Sequence, residues 1–591
     1  MRTLGISCHY HDAAACLVDN GIVMAAAEEE RFSRIKHDYR FPSLSAAFCL
    51  QQAGIGIDDV DYVVFYEKPA IKLDRVITTL GKNYPRSKEL FKEVFKIWGR
   101  EKLWIKEMIR TRLGVSEKKI LFSEHHLSHA ASSFYCSPFM ESAILTLDGV
   151  GEWCTSSWGK GKGNVIERSQ MVLFPHSLGL LYTAFTEFLG FEVNEGEYKV
   201  MGMAAYGQPV YADKVRQMFH SVSSNGFELD LEYFNFENST SSNLSSKFLQ
   251  FWGEARKREE PFFIESYRDD FGDKAEYNMQ VMQRSKHYAD IAASLQAVVE
   301  DIVLGFARYL RQSTGSPNLC IAGGVAYNSA ANGRIIREAG FDQVYIQPAA
   351  GDSGAALGAA QAVYHTVMGR TSPVILKSAY LGKEYSLQET KDTFDRAGYS
   401  YKVIDDKNEL AGHVADLLAQ GKVIGWHQGR FEFGPRALGN RSILADPRSV
   451  AMKEVVNARV KFRELFRPFA PATIKSHAHL YFDLPANAQE QYPYHFMLGV
   501  APVKAHERNR LRAVTHVNNT ARVQIVDEET NPLFYQLIKA FGDKTGVYVL
   551  LNTSFNRRGE PIVSSPKDAL TTFEWSMIDF LVVGNCVVAR L

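Results

Sequence analysis

Strand-like and helix-like patterns alternate through two long stretches of this chain, divided near Met368–Pro373, where Gly, Ser and Pro interrupt the pattern. That alternation constrains the fold more than any other feature. Short buried-type strands interleaved with amphipathic helices give sheets covered by helices, so both stretches are expected to be α/β. A chain of 591 residues also exceeds what one hydrophobic core supports. The expected domains are therefore 1–370 and 371–591.

The first stretch opens with strand-like runs at Leu4–Cys8, Ala13–Val18 and Ile22–Ala27, with Asp19-Asn20-Gly21 as the hairpin turn between the last two. Residues 80–113 read as an amphipathic helix rich in Lys and Arg, the pattern of a solvated face. Ala143–Leu147 reads as a buried strand that ends on Asp148-Gly149, and Asn238–Ser246 as an exposed polar loop. A helical pattern from Tyr288 to Gln312 leads to the strand Asn318–Ala322, the turn Gly323-Gly324, the strand Gln343–Ile346 and a helix over Asp352–Ala362. The second stretch ends in VYVLLNTSFN and a strand at Phe580–Val583, and no short-period repeat is present.

Composition enters as a filter. Lys+Arg and Asp+Glu both number 67, so a global electrostatic grip on nucleic acid or an anionic membrane is not expected. No apolar run approaches the roughly 20 residues of a membrane span, and MRTLGISCHYHDAAACLV carries His and Asp where a signal peptide is apolar. Seven scattered Cys without a C-x-x-C pair argue against disulfides and zinc ribbons. The expectation is a soluble cytoplasmic protein.

Three constellations carry chemistry. His125 and His129, at i and i+4 in SEHHLSHAASSFY, share one helix face, whereas His126 is rotated away. With Asp148 after its strand and Asp352 at a helix start they make a mixed N/O donor set for a divalent transition metal, iron first, zinc or manganese next. Asp352 alone reads equally well as a helix N-cap. Second, Ala322-Gly323-Gly324-Val325-Ala326-Tyr327-Asn328 and the small-residue run GDSGAALG at 351–358 would let backbone approach a nucleotide or another element. Third, ten basic residues against four acidic ones lie between Arg430 and Lys475, a local balance of +6. Arg in rigid Gly/Pro-flanked loops suits bidentate binding of phosphate. Aromatics are not interleaved as single-strand binding needs, so a compact polyanion fits better than nucleic acid.

The ordered motifs LGIS…HDAA, AAEEERFSRIKHD, HHLSHA, LDG, GEYKVMGMAAYG, GGVAYN, GDSGAALGAA, FGPRALGNRS, KFRELFRPFAP, NNTARVQ, LNTSFN and GEPIV resemble the NodU/CmcH family of O-carbamoyltransferases along nearly the whole chain. The resemblance implies an actin/Hsp70-type (ASKHA) first domain with duplicated subdomains, similar to TsaD, and a second α/β domain similar to YrdC. It implies that carbamoyl phosphate and ATP, with Mg2+, give carbamoyl adenylate in the second domain. The first domain then passes the carbamoyl group to a hydroxyl of a small natural product. Carried onto this sequence, it implies a metal, Fe(II) foremost, at His125, His129, Asp148 and Asp352. It places the adenylate at Gly323, Gly324, Asn328 and Lys199, and the phosphates at Arg436, Lys461, Arg467 and Arg522 with Asn552 and Ser554. His11 with Asp12 becomes the base for transfer. The pair Arg557-Arg558 stands where the family varies, and segments 68–115 and 220–285 read as insertions that set the acceptor. Partners are small molecules, with neither nucleic acid nor membrane, and a homodimer is left open. A tRNA-modifying enzyme and a nucleotide-binding switch of the actin/Hsp70 type are the alternative readings.

Overall fold

The computed structural model describes all residues except 101, 240, 266–277, 372–374, 462 and 591. Part of the expected boundary (Ser372 and Pro373) and part of segment 220–285 thus lie outside the described residues. Two compact units emerge. The first comprises Met1–Glu29, Asp38–Pro261 and Gln283–Leu376; the second comprises Glu30–His37, Phe262–Met282 and Lys377–Leu591.

The first unit is built on a repeated sheet. Strands β1 (Arg2–Ser7), β2 (Ala14–Asp19), β3 (Ile22–Glu28), β4 (Tyr62–Phe65) and β5 (Ile120–Phe122) form one sheet in the order β3-β2-β1-β4-β5. β1, β2 and β3 are antiparallel, whereas β4 runs parallel to β1 and β5 parallel to β4. Strands β6 (Glu141–Leu147), β7 (Cys154–Lys162) and β8 (Val165–Leu173) are followed by the small hairpin β9 (Phe219–Ser223) and β10 (Gly226–Leu229). With β11 (Asn318–Ala322) and β12 (Gln343–Ile346) the second sheet has the order β12-β11-β6-β7-β8. Its first three strands are again an antiparallel meander and its last two are again parallel additions beside the first. The same connectivity thus occurs twice, the duplicated subdomains of the actin/Hsp70 type.

Local chemistry explains the elements. Asn20 and Gly21 both adopt positive φ (49° and 86°), the requirement of a two-residue hairpin turn with the twist of its strands. Expected strands at Asn318–Ala322 and Gln343–Ile346 occur with those bounds. The long helix runs from Met279 to Thr314, beyond the expected Tyr288–Gln312. Residues 80–113 are not one helix. They divide among Pro69–Lys82, Lys88–Arg100 and Ile105–Leu113, because the first ends near Pro85 and the second before a short turn. Helices His125–Phe134 and Asp352–Ala362 pack on one another, and the latter also packs on β1 and β2. A Cβ on Gly358 would stand 1.7 Å from the carbonyl oxygen of Ser128, so the small-residue run is what allows the helices to close.

The second unit holds an eight-stranded mixed sheet. Its strands include β13 (Lys402–Val403), β14 (Ile424–His427), β15 (Arg441–Ala445) and β16 (Ala470–Ile474). After β17 (Val500–Pro502) and β18 (Thr520–Arg522), which pair with each other, come β19 (Gln524–Val526), β20 (Val549–Ser554), β21 (Phe580–Val583) and β22 (Cys586–Ala589). The sheet order is β13-β22-β21-β14-β15-β20-β16-β19. Helices Lys407–Ala419 and Pro532–Thr545 cover one face with Leu410, Val414, Leu418, Phe534, Leu537 and Phe541 around Trp426. Among the described residues no helix is long and apolar enough to cross a membrane.

Candidate functional site

Each unit gathers a set of the charged residues singled out from the sequence. In the first unit the helix His125–Phe134 presents His125 and His129 one turn apart. Asp148 follows β6, and Asp352 is the first residue of its helix, whose N-cap is Gly351. The N-cap reading of Asp352 is therefore corrected: its carboxylate caps nothing and faces the histidines instead. His125 Nε2 lies 2.9 Å from Asp148 Oδ2 and 3.1 Å from His129 Nε2. His129 Nε2 is 3.6 Å from Asp352 Oδ1, and the four ligand atoms all fall within 4.8 Å of one another.

Supporting contacts fix these four. The Gly324 amide donates to Asp148 Oδ1 at 2.8 Å, and Tyr66 Oη donates to Asp352 Oδ2 at 3.2 Å. Glu152 accepts from the amide of His125 at the open N-terminus of that helix. Gly323 sits at φ +99°, and a Cβ there would meet the Leu147 carbonyl oxygen at 2.1 Å. The Gly-Gly turn after β11 thus lets the chain approach the end of β6 and bind its aspartate. Asn328 accepts from the Ala331 amide as a helix N-cap and exchanges hydrogen bonds with Gln296, while Lys199 is buried near the Phe191 ring.

The electrostatics follow from burial and mutual charge. Burial alone would raise the Asp148 carboxyl, but hydrogen bonds from His125 and His129 hold it well below the usual range. Asp352 is likewise lowered, with His129, His11 and His125 outweighing burial. Burial disfavours the charged form of His129, yet both carboxylates lift it to about 9. Burial drives His126 far below the ordinary histidine value, and its Nδ1 meets Thr146 Oγ1 at 2.8 Å, so it stays a neutral core residue. Two imidazoles meeting Nε2 to Nε2 between two carboxylates form the mixed N/O donor set that a divalent transition metal takes.

His11 stands after β1, half-buried, with Nδ1 3.1 Å from Asp12 Oδ2. Burial opposes its charge, but the Asp12 hydrogen bond and the charges of Asp352, Asp12 and Asp148 raise it to about 9. Its ring stands 4.6 Å from that of Tyr10.

In the second unit eight of the ten basic residues of 430–475 separate into two kinds. Arg441, fully buried, donates to the carbonyl oxygens of Gln428, Asn440, Gly429, Lys383 and Ser564. Arg430 binds the carbonyls of Leu381 and Gly382, Arg448 pairs with Asp446, and Lys475 with Asp527. These hold structure. The side chain of Arg459 lies outside the described residues. A second group consists of Arg436, Lys461, Arg463 and Arg467, joined by Arg522 from β18. Burial, then the like charges of Arg436, Arg463 and Arg467, push Arg522 well below the ordinary arginine value, and its shielded Nε has no hydrogen-bond partner. Burial, then Arg463, Arg467 and Lys36, lower Lys461 in the same way.

Neighbouring polar groups shape this cluster. Lys461 Nζ donates to the carbonyls of Ser554 and Asn556 at 2.7 and 2.8 Å and reaches Ser554 Oγ at 3.2 Å. Asn552 Nδ2 donates to Gln524 and to the Ala437 carbonyl, which leaves its buried Oδ1 without a donor. Glu432 Oε1 accepts from the amides of Leu438, Asn440 and Arg441 and thereby folds the GPRALGN loop that carries Arg436. His516 is pressed down to about 3 by burial and by Arg522 and Lys453. A compact group of buried cations with shared repulsion is the chemistry that suits an oxyanion. Of the pair Arg557-Arg558, the first is held by Glu560 and the second lies 3.8 Å from Glu464.

The structure thus brings together the four metal-ligand candidates in the first unit and the phosphate-binding candidates in the second. Sequence reasoning missed Tyr66, Glu152, Glu432, Arg463 and Lys36. Tyr66 follows directly on the apolar run of β4, and Arg463 and Lys36 sit inside motifs already singled out, so a signal existed for those three. Glu152 and Glu432 act through amides that only folding brings near.

Comparison with known proteins agrees across both units. A family model described as carbamoyltransferase N-terminus matches residues 2–361, and one described as carbamoyltransferase C-terminus matches residues 415–590. The protein sll1178 of Synechocystis sp. is 42% identical, over 99% of this chain and 96% of its own. Nodulation protein NolNO of Sinorhizobium fredii is 37% identical over 98% of this chain and 79% of its own. The 3'-hydroxymethylcephem-O-carbamoyltransferase of Amycolatopsis lactamdurans is 37% identical over 50% of this chain and 53% of its own.

Proposed function

This chain belongs to the O-carbamoyltransferase family, and from that premise we propose that it makes carbamoyl adenylate from ATP and carbamoyl phosphate and carbamoylates a hydroxyl of a small natural product. The observation that carries the reading is the pairing, in one chain, of a cation-seeking His/Asp centre with an anion-seeking Arg/Lys cluster. The two-step reaction can use both. Water cleaves carbamoyl phosphate to carbamate and inorganic phosphate; the carbamate oxygen then attacks the α-phosphate of ATP, pyrophosphate leaves, and AMP becomes the leaving group for transfer, so many phosphate charges must be held.

In the second unit, Arg436, Lys461, Arg467 and Arg522 would hold the phosphates of ATP, brought with Mg2+, and of carbamoyl phosphate. Their mutual repulsion is relieved when anions bind, and fixed cations stabilise the charge that develops on the departing pyrophosphate. Lys461, tethered to the carbonyls of Ser554 and Asn556, needs no reorganisation to act. Asn552, with an unused acceptor, suits the carbamoyl amide, which can donate to it.

In the first unit, Gly323, Gly324, Asn328 and Lys199 are proposed to border the adenylate, although the Gly324 amide and the Asn328 side chain already serve Asp148 and the helix start. A divalent metal held by His125, His129, Asp148 and Asp352, with iron(II) the proposed species, would supply a Lewis acid beside the carbamoyl group. His11 takes the proton of the attacking hydroxyl, oriented by Asp12. A ring raised to about 9, first by the Asp12 hydrogen bond and then by Asp352, Asp12 and Asp148, is charged at neutral pH, and neutralising Asp148 and Asp352 would lower it toward the form that accepts a proton.

The test is to incubate the protein with ATP, carbamoyl phosphate and a panel of hydroxyl acceptors and tRNA. Mass spectrometry should find the added carbamoyl mass on a small acceptor, with pyrophosphate released only when carbamoyl phosphate is present. ATP turnover indifferent to carbamoyl phosphate, or label on tRNA alone, would sink the reading.

A further inference from the structure

The helix Pro69–Lys82 falls in the segment 68–115, read from the sequence as an insertion that sets the acceptor, and it buries two cations. Lys72 is 5% exposed and Arg75 8% exposed. A buried charge is costly unless an opposite charge meets it. Lys72 has such a partner in Glu67, at 2.5 Å. Arg75 has none. Among the described residues no ion pair reaches it, its shielded Nε has no acceptor, and its guanidinium lies 4.7 Å from the centre of the Phe174 ring. Lys102, in the short turn after the next helix, stands 5.7 Å from the Trp98 ring, also without an ion pair among the described residues.

These cations share one neighbourhood. Lys102 feels the charges of Lys72, Glu67 and Arg75, and Arg75 those of Tyr10, Glu67 and Glu152. Both carboxylates are already engaged, Glu67 by Lys72 and Glu152 by the amides of His125 and Lys68. An oxyanion is what the group lacks. Its position is equally specific. Lys72 Nζ lies 5.3 Å from the Tyr10 ring, and Tyr10 in turn lies against His11. Tyr10 also feels Asp148, Asp352 and Arg75, so its ring touches His11 and Lys72 and lies within electrostatic reach of both the cations and the four-residue centre.

We propose that Arg75, with Lys72 and Lys102 beside it, binds a carboxylate or phosphate group carried by the acceptor and so sets the acceptor hydroxyl against His11. The proposal rests on the reading of His11 as the transfer base. A base must stand at the acceptor oxygen, and in this proposal the rest of the acceptor extends from His11 past Tyr10 toward Lys72 and Arg75. A neutral acceptor would leave Arg75 buried without a counterion, and a site built for a charged group rejects the analogue that lacks it. Arg75, Lys72 and Lys102 are positioning residues; they do not touch the reacting atoms.

Two arms separate an anion carried by the acceptor from a free one. In the first, Arg522→Gln protein, with its second-unit cluster weakened, is titrated calorimetrically with inorganic phosphate. A saturable signal is expected, and Arg75→Gln/Arg522→Gln should lose it. In the second, full-length enzyme with ATP and carbamoyl phosphate receives hydroxy acids and sugar phosphates, each mixed with its carboxamide or dephosphorylated counterpart. The anionic member should lead in carbamoylated product by about 10- to 100-fold, and Arg75→Gln should bring that ratio near one, with Arg75→Lys restoring part of it. Lys102→Gln, at a half-buried position, is the second variant should Arg75→Gln fail to fold, and it should lower the ratio in the same direction. Equal use of both members by the unaltered enzyme, or a preference that neither variant moves, overturns the proposal. A phosphate signal lost with Arg75 but no preference among acceptors assigns the site to free phosphate and likewise overturns it. Absence of any carbamoylated product and of pyrophosphate release would overturn the two-step reaction itself. The phosphate titration then still decides the site: a signal lost with Arg75 keeps an anion site there, and no signal removes it.

Discussion

The two units solve opposite charge problems in opposite ways. In the first, two carboxylates and two imidazoles stand close enough to hold one another: the carboxyls stay ionised below their usual range and His129 is lifted to about 9. In the second, Arg436, Lys461, Arg463, Arg467 and Arg522 crowd together, and burial with like charge pushes Lys461 and Arg522 down. One centre is internally compensated, its four ligand atoms within 4.8 Å of one another; the other repels itself, a repulsion that a bound anion would relieve. Neither arrangement is what folding would choose for stability alone, since an apolar replacement of buried charge is often as stable or more so. Local violations of that kind are expected where a ligand brings the missing charge.

The contrast breaks most visibly at the metal ligands. Purified protein should carry about one equivalent of transition metal, and His125→Ala with His129→Ala should remove it and abolish transfer while pyrophosphate release persists. Elemental analysis decides; full metal content in the double variant would dissolve the first centre as a cation site. Next in size is His11→Asn, which keeps a polar side chain of similar reach without a base at neutral pH. Carbamoyl transfer should fall by roughly 10²–10⁴-fold with adenylate formation retained. Lost adenylate formation would mean that His11 serves the other half-reaction.

The second centre is tested by Lys461→Ala and Arg467→Ala. Each should lower pyrophosphate release by about 30- to 1000-fold, the kinetic equivalent of about 2–4 kcal/mol. Normal release with blocked transfer would place both residues in the wrong half-reaction. A smaller and opposite effect is expected for stability: Arg522→Met removes a cation that other cations repel, so the ligand-free protein should gain about 1 kcal/mol, read as a rise in Tm. A fall in Tm would mean that the cluster is compensated after all.

The smallest expected effect concerns pH. Burial, then Lys72 and Arg75, lower Lys102 to about 8, with Glu67 and Cys8 acting the other way. The charged form attracts an anion, so phosphate affinity of the Arg522→Gln protein should be full below pH 8 and decline as pH rises through it. The bound anion favours the charged ammonium and shifts the decline upward. Calorimetry at pH 7 and pH 9 tests this, and affinity that rises with pH would exclude Lys102 from the site.

Much was legible along the chain because it depends on near neighbours. The turn at Asn20-Gly21, the strands Asn318–Ala322 and Gln343–Ile346, and His125 and His129 one turn apart are set by residues within a few positions. The motifs likewise carried family and reaction class. The single helix expected over 80–113 failed because a repeating charge pattern continues across breaks that local backbone geometry imposes. The basic run 430–475 shows the deeper limit. Its sequence does not distinguish Arg441, which binds five carbonyls, from Arg467, which joins the cluster, or show that Arg522 belongs beside it. Nor does the sequence of 68–115 show that Lys72 meets Glu67 while Arg75 has no ion pair among the described residues. Sequence by itself determined the α/β alternation, several of the strands and turns and the chemistry available, because backbone propensity and side-chain type are local properties; the duplication was implied only by the family resemblance. The tertiary structure alone decided which charges are paired, since pairing depends on distances of a few ångströms between residues that strand order and helix packing bring together from far along the chain.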